Sequence, residues 1–325
     1  MDGQVQPLHW ICRRPRSGEM RHAVLVTAHR NPELLVEVIN AMATSRSHVF
    51  VHIDITAPFA PAELSLALAS PDRVTMLEPR SAVNWRGYSY LAVVLRLLRA
   101  AHSTASFDFY HLLTGQCFPT KNPDEILDTF EANPNLESIE CFQLPSDRWE
   151  RGGLNRMQYY HFYDQLAARN RMFGVPVKQG IIYGLVRAQR LLGIRRKLPG
   201  DFGAYYGGSV FWSLTGTCVD YLLRYLDEHP DVEPGFENTF CPEEILFQTV
   251  IANSPLADRI SGTSHRYIDW TYRNGSIPAN LDESDFQMII DSGALFARKV
   301  DQEHSASLLE RLRSRAGTDK PEGST

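Results

Sequence analysis

The sequence predicts an α/β protein with a mostly parallel central sheet and helices on both faces. Three observations lead there. Apolar runs of strand length alternate with segments of helical periodicity over the first third of the chain. Pro and polar residues punctuate the joins. The 325 residues suffice for one large α/β unit or two ordinary ones with a substantial core.

Taken in order, "HAVLVTAHR" is a strand ending in polar residues, and "NPELLVEVINAMATS" a helix with Pro near its start. "HVFVHID" and "RVTMLE" read as short strands, "YSYLAVVLRLLRAAHS" as an amphipathic helix, and "DFYHLLTG" as a buried strand before a loop. From about Asp147 to Pro199 the chain is rich in Arg, Tyr and Gln, with helical stretches such as "IIYGLVRAQRLLGI". This is expected to be an insertion or subdomain at the rim of the sheet. "AYYGGSVFWSLT" returns to strand character, "CVDYLLRYLDEHP" is a helix, and a further helix is expected to start at "CPEEILFQTVI". The expected organisation is a disordered leader over 1–20, one domain over 21–300 containing the 147–199 insertion, and a short helix with a disordered tail over 301–325.

The formal net charge of -5 offers no broad basic field, which argues against a general nucleic-acid binder. No stretch approaches the roughly 20 apolar residues of a membrane span. Five cysteines without a C-x-x-C suit reduced thiols and a cytoplasmic location.

Several residues at strand ends stand where ligands bind in such sheets. Asp54 follows "VHI", where its carboxylate either caps a turn or accepts hydrogen bonds from a bound ring or sugar. Trp85, before Arg86 and Gly87, either fills the core or covers a base. Glu243 and Glu244 follow Pro242, where acids suit the positive end of a helix dipole as well as chemistry. Arg298 and Lys299 are adjacent cations after "ALFA", surface charges or an anion clamp; Arg266 and Trp270 lie in "HRYIDW". No G-x-G-x-x-G, no P-loop and no D-x-D is present, and no His, Asp and Cys cluster has metal-ligand spacing. His48 and His52 lie roughly 13 Å apart on a strand, too far to share an ion. A bound diphosphate would have to meet side-chain cations or backbone N–H groups.

In order, "VLVTAHR", "VHID", "NWRGYSYL", "HLLTGQCFPTK", "GGSVFWSL", "CPEEILFQTVI", "HRYIDW" and "SGALFARKV" resemble the core-2/I-branching β-1,6-N-acetylglucosaminyltransferase family, with its related peptide O-xylosyltransferases. The likeness runs from about His22 to Val300. It implies a GT-A-like fold and a soluble, bacterial-type, inverting transferase that needs no divalent metal or other cofactor. Its partners would be a UDP-sugar donor, UDP-GlcNAc first and UDP-xylose second, and a glycan or glycoconjugate acceptor, with peripheral contact at a membrane face compatible. The resemblance assigns the catalytic base to Glu244 and the donor diphosphate to Arg298 and Lys299, with Arg266 a further candidate. It assigns the nucleotide to Val26, Asp54 and Trp85, and the acceptor side to Trp270 and Glu243. Cys117 stands where the family has an acid, and Val210 where the xylosyl branch has one; the latter disfavours peptide xylosylation. A catalytically silent binder of nucleotide sugars is the alternative class.

Overall fold

The computed structural model describes residues 21–168 and 175–318. The expected leader and the last residues of the tail lie outside this range. Strand β1 (His22–Ala28) leads through helix α1 (Pro32–Met42) to β2 (Ser47–Ile53). A short helix α2 (Pro61–Ser65) precedes β3 (Val74–Met76), and the long α3 (Tyr88–Thr104) returns the chain to β4 (Phe109–Thr114). After β5 (Phe118–Pro119) and α4 (Pro123–Glu131) come β6 (Ser138–Ile139) and β7 (Phe142–Leu144). The rim segment holds α5 (Asn155–Gln158), α6 (Tyr163–Ala168) and α7 (Val175–Leu191). The remainder comprises β8 (Tyr205–Gly207), β9 (Trp212–Thr215), α8 (Gly216–Glu228), α9 (Val232–Gly235), α10 (Leu246–Ala252), β10 (Arg266–Ile268), α11 (Phe286–Asp291), β11 (Phe296–Arg298) and α12 (Ala306–Ala316).

The main sheet runs β3-β2-β1-β4-β9-β6. β1 to β4 are mutually parallel where they pair, and β9 turns antiparallel beside β4. The mostly parallel sheet anticipated from the alternation is therefore present. A right-handed crossover between parallel strands requires a covering helix, and both faces are covered. Leu91, Val94, Leu95 and Leu98 of α3 join α8 and α10 on one side, while Leu35, Ile39 and Met42 of α1 join Ile126 and Leu127 of α4 on the other. A second sheet, β10-β11-β5, brings the "FAR" segment beside the loop after β4.

Three expectations change in detail. "AYYGGSVFWSLT" is not one strand: β8 pairs with β7 in a separate ribbon, and β9 joins the main sheet. Gly208 makes the break, because a Cβ there would lie 1.9 Å from the Glu140 carbonyl oxygen. Pro242–Glu244 forms a 3-10 turn and not the first turn of an α-helix; α10 begins only at Leu246. Beyond Val300, α12 is packed into the body, with Leu308, Leu309 and Leu312 buried against Leu34 and Val38 of α1.

A polar chain threads the sheet near the start of its strands. Arg266 donates to Ser213 Oγ at 3.0 Å, His111 Nδ1 lies 2.9 Å from that oxygen, His111 Nε2 is 2.9 Å from His22 Nδ1, and His22 Nε2 is 3.0 Å from Glu131 Oε1. Burial lowers the pKa of both histidines.

Candidate active site

A cleft of about 590 Å³ opens beyond the carboxyl ends of β1, β2 and β4, the edge where parallel sheets bind ligands. Thr27 to Arg30 follow β1 into it, Asp54 and Thr56 follow β2, and Thr114 to Gln116 follow β4.

Asp54 is buried, and its carboxylate organises the floor. Oδ1 accepts from the Thr56 N–H and hydroxyl, both at 2.7 Å, and Oδ2 accepts from Val83 N–H at 2.8 Å. Both readings of Asp54 meet here, since it ties a turn together and lines the cleft. Trp85 lines the mouth at 63% exposure, with the Arg86 guanidinium 3.8 Å from its ring centroid. It is not a core plug. Trp270, at 60% exposure, lines the same cleft.

One wall is acidic. Cys241 adopts a left-handed backbone (φ 49) and its N–H donates to the Arg86 carbonyl at 3.1 Å. The turn that follows carries Glu243 and Glu244 into the cleft. Glu244 Oε2 accepts from Arg156 at 2.6 Å, and the Arg156 guanidinium lies 3.5 Å from the Trp149 ring centroid and 5.0 Å from that of Phe240. Burial raises the pKa of Glu244 while Arg156 opposes the rise. Burial raises Glu243 too, and the neighbouring Glu244 carboxylate adds to it. Glu243 Oε2 is buried without a hydrogen-bond partner. The two acids therefore stand in different settings: Glu244 sits beside the Arg156 cation, which favours its charged form, whereas burial and the neighbouring carboxylate favour the protonated form of Glu243.

The facing wall is basic. Arg298, at the end of β11, donates to Thr114 Oγ1 and lies 4.7 Å from the Phe211 ring centroid. Arg30 donates to Gln116 Oε1 at 2.9 Å. Lys299 follows Arg298 behind that wall and does not itself line the cleft; its Nζ donates to Ser276 Oγ at 2.9 Å. Burial, then Arg30 and Arg298, pull the Lys299 pKa down to about 8. His29 lies among these cations and its pKa is lowered by burial and by Arg30. Cys117 Sγ sits 3.8 Å from the Arg298 guanidinium, so the position where the family has an acid places a sulfur there.

Two residues singled out in the sequence stand elsewhere. Val26 is wholly buried in the core, and the cleft begins one residue later on β1, at Thr27 and Ala28. Arg266 is buried between β4 and β9; its guanidinium is occupied by Ser213 and by the carbonyls of Ser264, Leu112 and Trp212. It does not reach the cleft. Arg30, Arg86 and Arg156, all lining residues, were not singled out. Arg30 was findable, because it follows directly on a parallel strand; Arg156 lies in the rim segment, where no pattern marks it.

The spacing argument against a metal cluster also needs correction. Among the described residues, ligand atoms of Cys241, Glu243 and Glu244 lie within 4.8 Å of one another. The donor set suits a cation poorly: burial raises the Cys241 thiol well above its ordinary value, and the Arg156 guanidinium already occupies Glu244 Oε2.

Residues 23–290 match the Core-2/I-Branching enzyme family. The chain is thus a member of a glycosyltransferase class. In particular, it belongs to the core-2/I-branching enzyme family. Xylosyltransferase 2 of Homo sapiens and that of Pan troglodytes are each 21% identical to it over 96% of this chain and 36% of their own length. Beta-glucuronosyltransferase GlcAT14B of Arabidopsis thaliana is 23% identical over 82% of this chain and 59% of its own length. The chain thus spans between about a third and three-fifths of these curated relatives. Among solved structures, the apo WbbM bifunctional glycosyltransferase aligns with a TM-score of 0.38 and 10% identity, over 94% of this chain and 52% of that one.

Proposed function

We propose that the cleft binds a UDP-sugar, with UDP-GlcNAc preferred, and transfers the sugar with inversion to a hydroxyl of a glycan or glycoconjugate. The observation that carries this reading is the meeting in one cavity of the Glu244 carboxyl, held by Arg156, and the Arg30 and Arg298 cations. Direct displacement at an anomeric carbon needs both. Glu244 takes the acceptor proton as the oxygen–carbon bond forms and the carbon–phosphate oxygen bond breaks. UDP leaves with the electron pair, its charge met by Arg298, Lys299 and Arg30. An α-linked donor then gives a β-linked product. Asp54 and Trp85 serve the uridine, and Trp270 the acceptor.

Val210, where the xylosyl branch has an acid, lines the cleft, which supports UDP-GlcNAc over UDP-xylose. The cations supply the charge that a divalent ion supplies elsewhere, so no metal is needed. Measuring UDP release from UDP-GlcNAc, UDP-xylose and UDP-glucuronate, with and without EDTA, tests the reading. The fastest release is expected with UDP-GlcNAc and is unaffected by EDTA. A rate that collapses in EDTA and returns with manganese would overturn metal independence and make Cys241, Glu243 and Glu244 the candidate ligands. No release from any donor would leave a silent binder.

A further inference from the structure

Helix α7 has one covered side and one bare one. Ile182, Val186 and Gln189 are buried, the first two in a small cluster with Tyr159 that Tyr163 packs against. The opposite side of an amphipathic surface helix is ordinarily polar. Here it carries Val177, Ile181, Leu185 and Leu191, with Leu192 just past the helix end, and these are 49, 42, 39, 80 and 72% exposed. Their spacing of three and four residues, with Gly184 and Ala188 between, makes one continuous apolar stripe. A Cβ added at Gly184 would meet nothing within 4 Å.

The same segment is strongly basic. Residues 175–197 hold Lys178, Arg187, Arg190, Arg195, Arg196 and Lys197 and no Asp or Glu, in a chain whose net charge is -5. Arg187, Arg195 and Lys197 are exposed, and among the described residues none of them forms an ion pair with a carboxylate. No helix among the described residues is long and apolar enough to cross a membrane.

We propose that α7 docks this protein on an anionic lipid surface. The helix lies in the plane of the surface, its apolar stripe in the boundary between headgroups and acyl chains and its cations at lipid phosphates. Charge decides the occupant. A second copy seated on this face would bring Arg187, Arg195 and Lys197 against their own counterparts, whereas anionic lipid neutralises them. The docking also has a place relative to the cleft. Phe240 lines the cleft and its ring centroid is 5.6 Å from that of Tyr163, which packs on the buried side of α7. One layer of rings separates the two, so a docked helix holds the rim of the cleft near the lipid.

The test is cosedimentation of the full chain with vesicles of phosphatidylcholine, alone or with about one third phosphatidylglycerol, at low and high salt. Binding to the anionic vesicles is expected to exceed binding to the neutral ones by about tenfold or more and to weaken with salt. The double variant Leu191→Glu, Leu192→Glu should lose about tenfold or more of that binding, with its thermal unfolding unchanged because both side chains are exposed. Arg187→Glu with Lys197→Glu should abolish the anionic preference while leaving the fold intact. Absence of wild-type binding, or equal binding by wild type and the leucine variant, overturns the proposal. So does a concentration-dependent dimer that the leucine variant breaks, since the occupant is then a second copy. No readout depends on sugar transfer, so this idea and the proposed reaction stand or fall separately.

Discussion

The two walls of the cleft are built differently. On the acidic wall the charge has a partner and the second acid is pushed toward its neutral form: Arg156 is braced by Trp149 and Phe240 and holds Glu244, and Glu243 is buried with a raised pKa. On the basic wall, Arg30 and Arg298 hold Gln116, Thr114 and Cys117, with no carboxylate among them, and Lys299 behind it holds Ser276. The contrast with Arg273 is instructive, since Asp269, Asp282 and Asp285 surround that guanidinium. Arg46 is likewise ringed by Asp124, Asp128 and Glu131. At these two positions arginine is a structural tie and carboxylates surround it. Arg30 and Arg298 line the cleft without such a carboxylate, and on the proposed reading the donor diphosphate supplies their countercharge. On that reading one wall is finished before substrate arrives and the other is completed by it.

Substitutions should separate the walls. The largest effect is expected from Glu244→Gln, which keeps size and hydrogen bonding but removes the base: transfer should fall by about 10²–10⁴-fold with UDP affinity little changed. If Glu243→Gln causes that loss instead, the division of protons between the two acids is reversed. On the basic wall, Arg298→Ala should weaken UDP binding by roughly 10–150-fold, the worth of one charge-assisted contact, and leave uridine binding unchanged, as calorimetry can read. Equal losses for UDP and uridine would mean damage to the fold.

The smallest effect is in pH. The Lys299 pKa is pulled down to about 8, so its charge is present below that value and lost as pH rises through it. UDP affinity should therefore fall between about pH 7 and 9, by at most about tenfold, and Lys299→Arg should flatten the profile. An unchanged slope in Lys299→Arg would assign the titration to another group.

Most of the fold was legible because periodicity reports which faces are buried. β1, β2 and β4, with α1, α3 and α8, lie where apolar runs and helical spacing put them. The 3-10 turn at Pro242 was not legible: Pro and two acids suit a helix start equally, and the difference is made by Gly208, whose N–H donates to the Glu244 carbonyl from a distant segment. Position along the strand explains the Val26 outcome, since Val26 lies inside β1 and the cleft begins only with the last two residues, Thr27 and Ala28. The Arg266 error is of the same kind, because "HRYIDW" does not say which side of the sheet an arginine enters. Arg156 reaches Glu244 across 88 residues of sequence, a tertiary fact that no local pattern encodes.

The chain of contacts through the sheet has a direction. Glu131 can only accept, so His22 Nε2 must carry its proton toward it, and His22 Nδ1 must then accept from His111 Nε2. His111 Nδ1, left bare, accepts from the Ser213 hydroxyl, whose oxygen accepts in turn from Arg266. Every donor points the same way, from the buried guanidinium to the carboxylate at the end of α4, and both imidazoles are neutral in this arrangement. The arrangement is a dipole several side chains long. It runs from the Arg266 guanidinium to a carboxylate that Arg46 also holds, so a change at any one link requires the hydrogens of its neighbours to reorient.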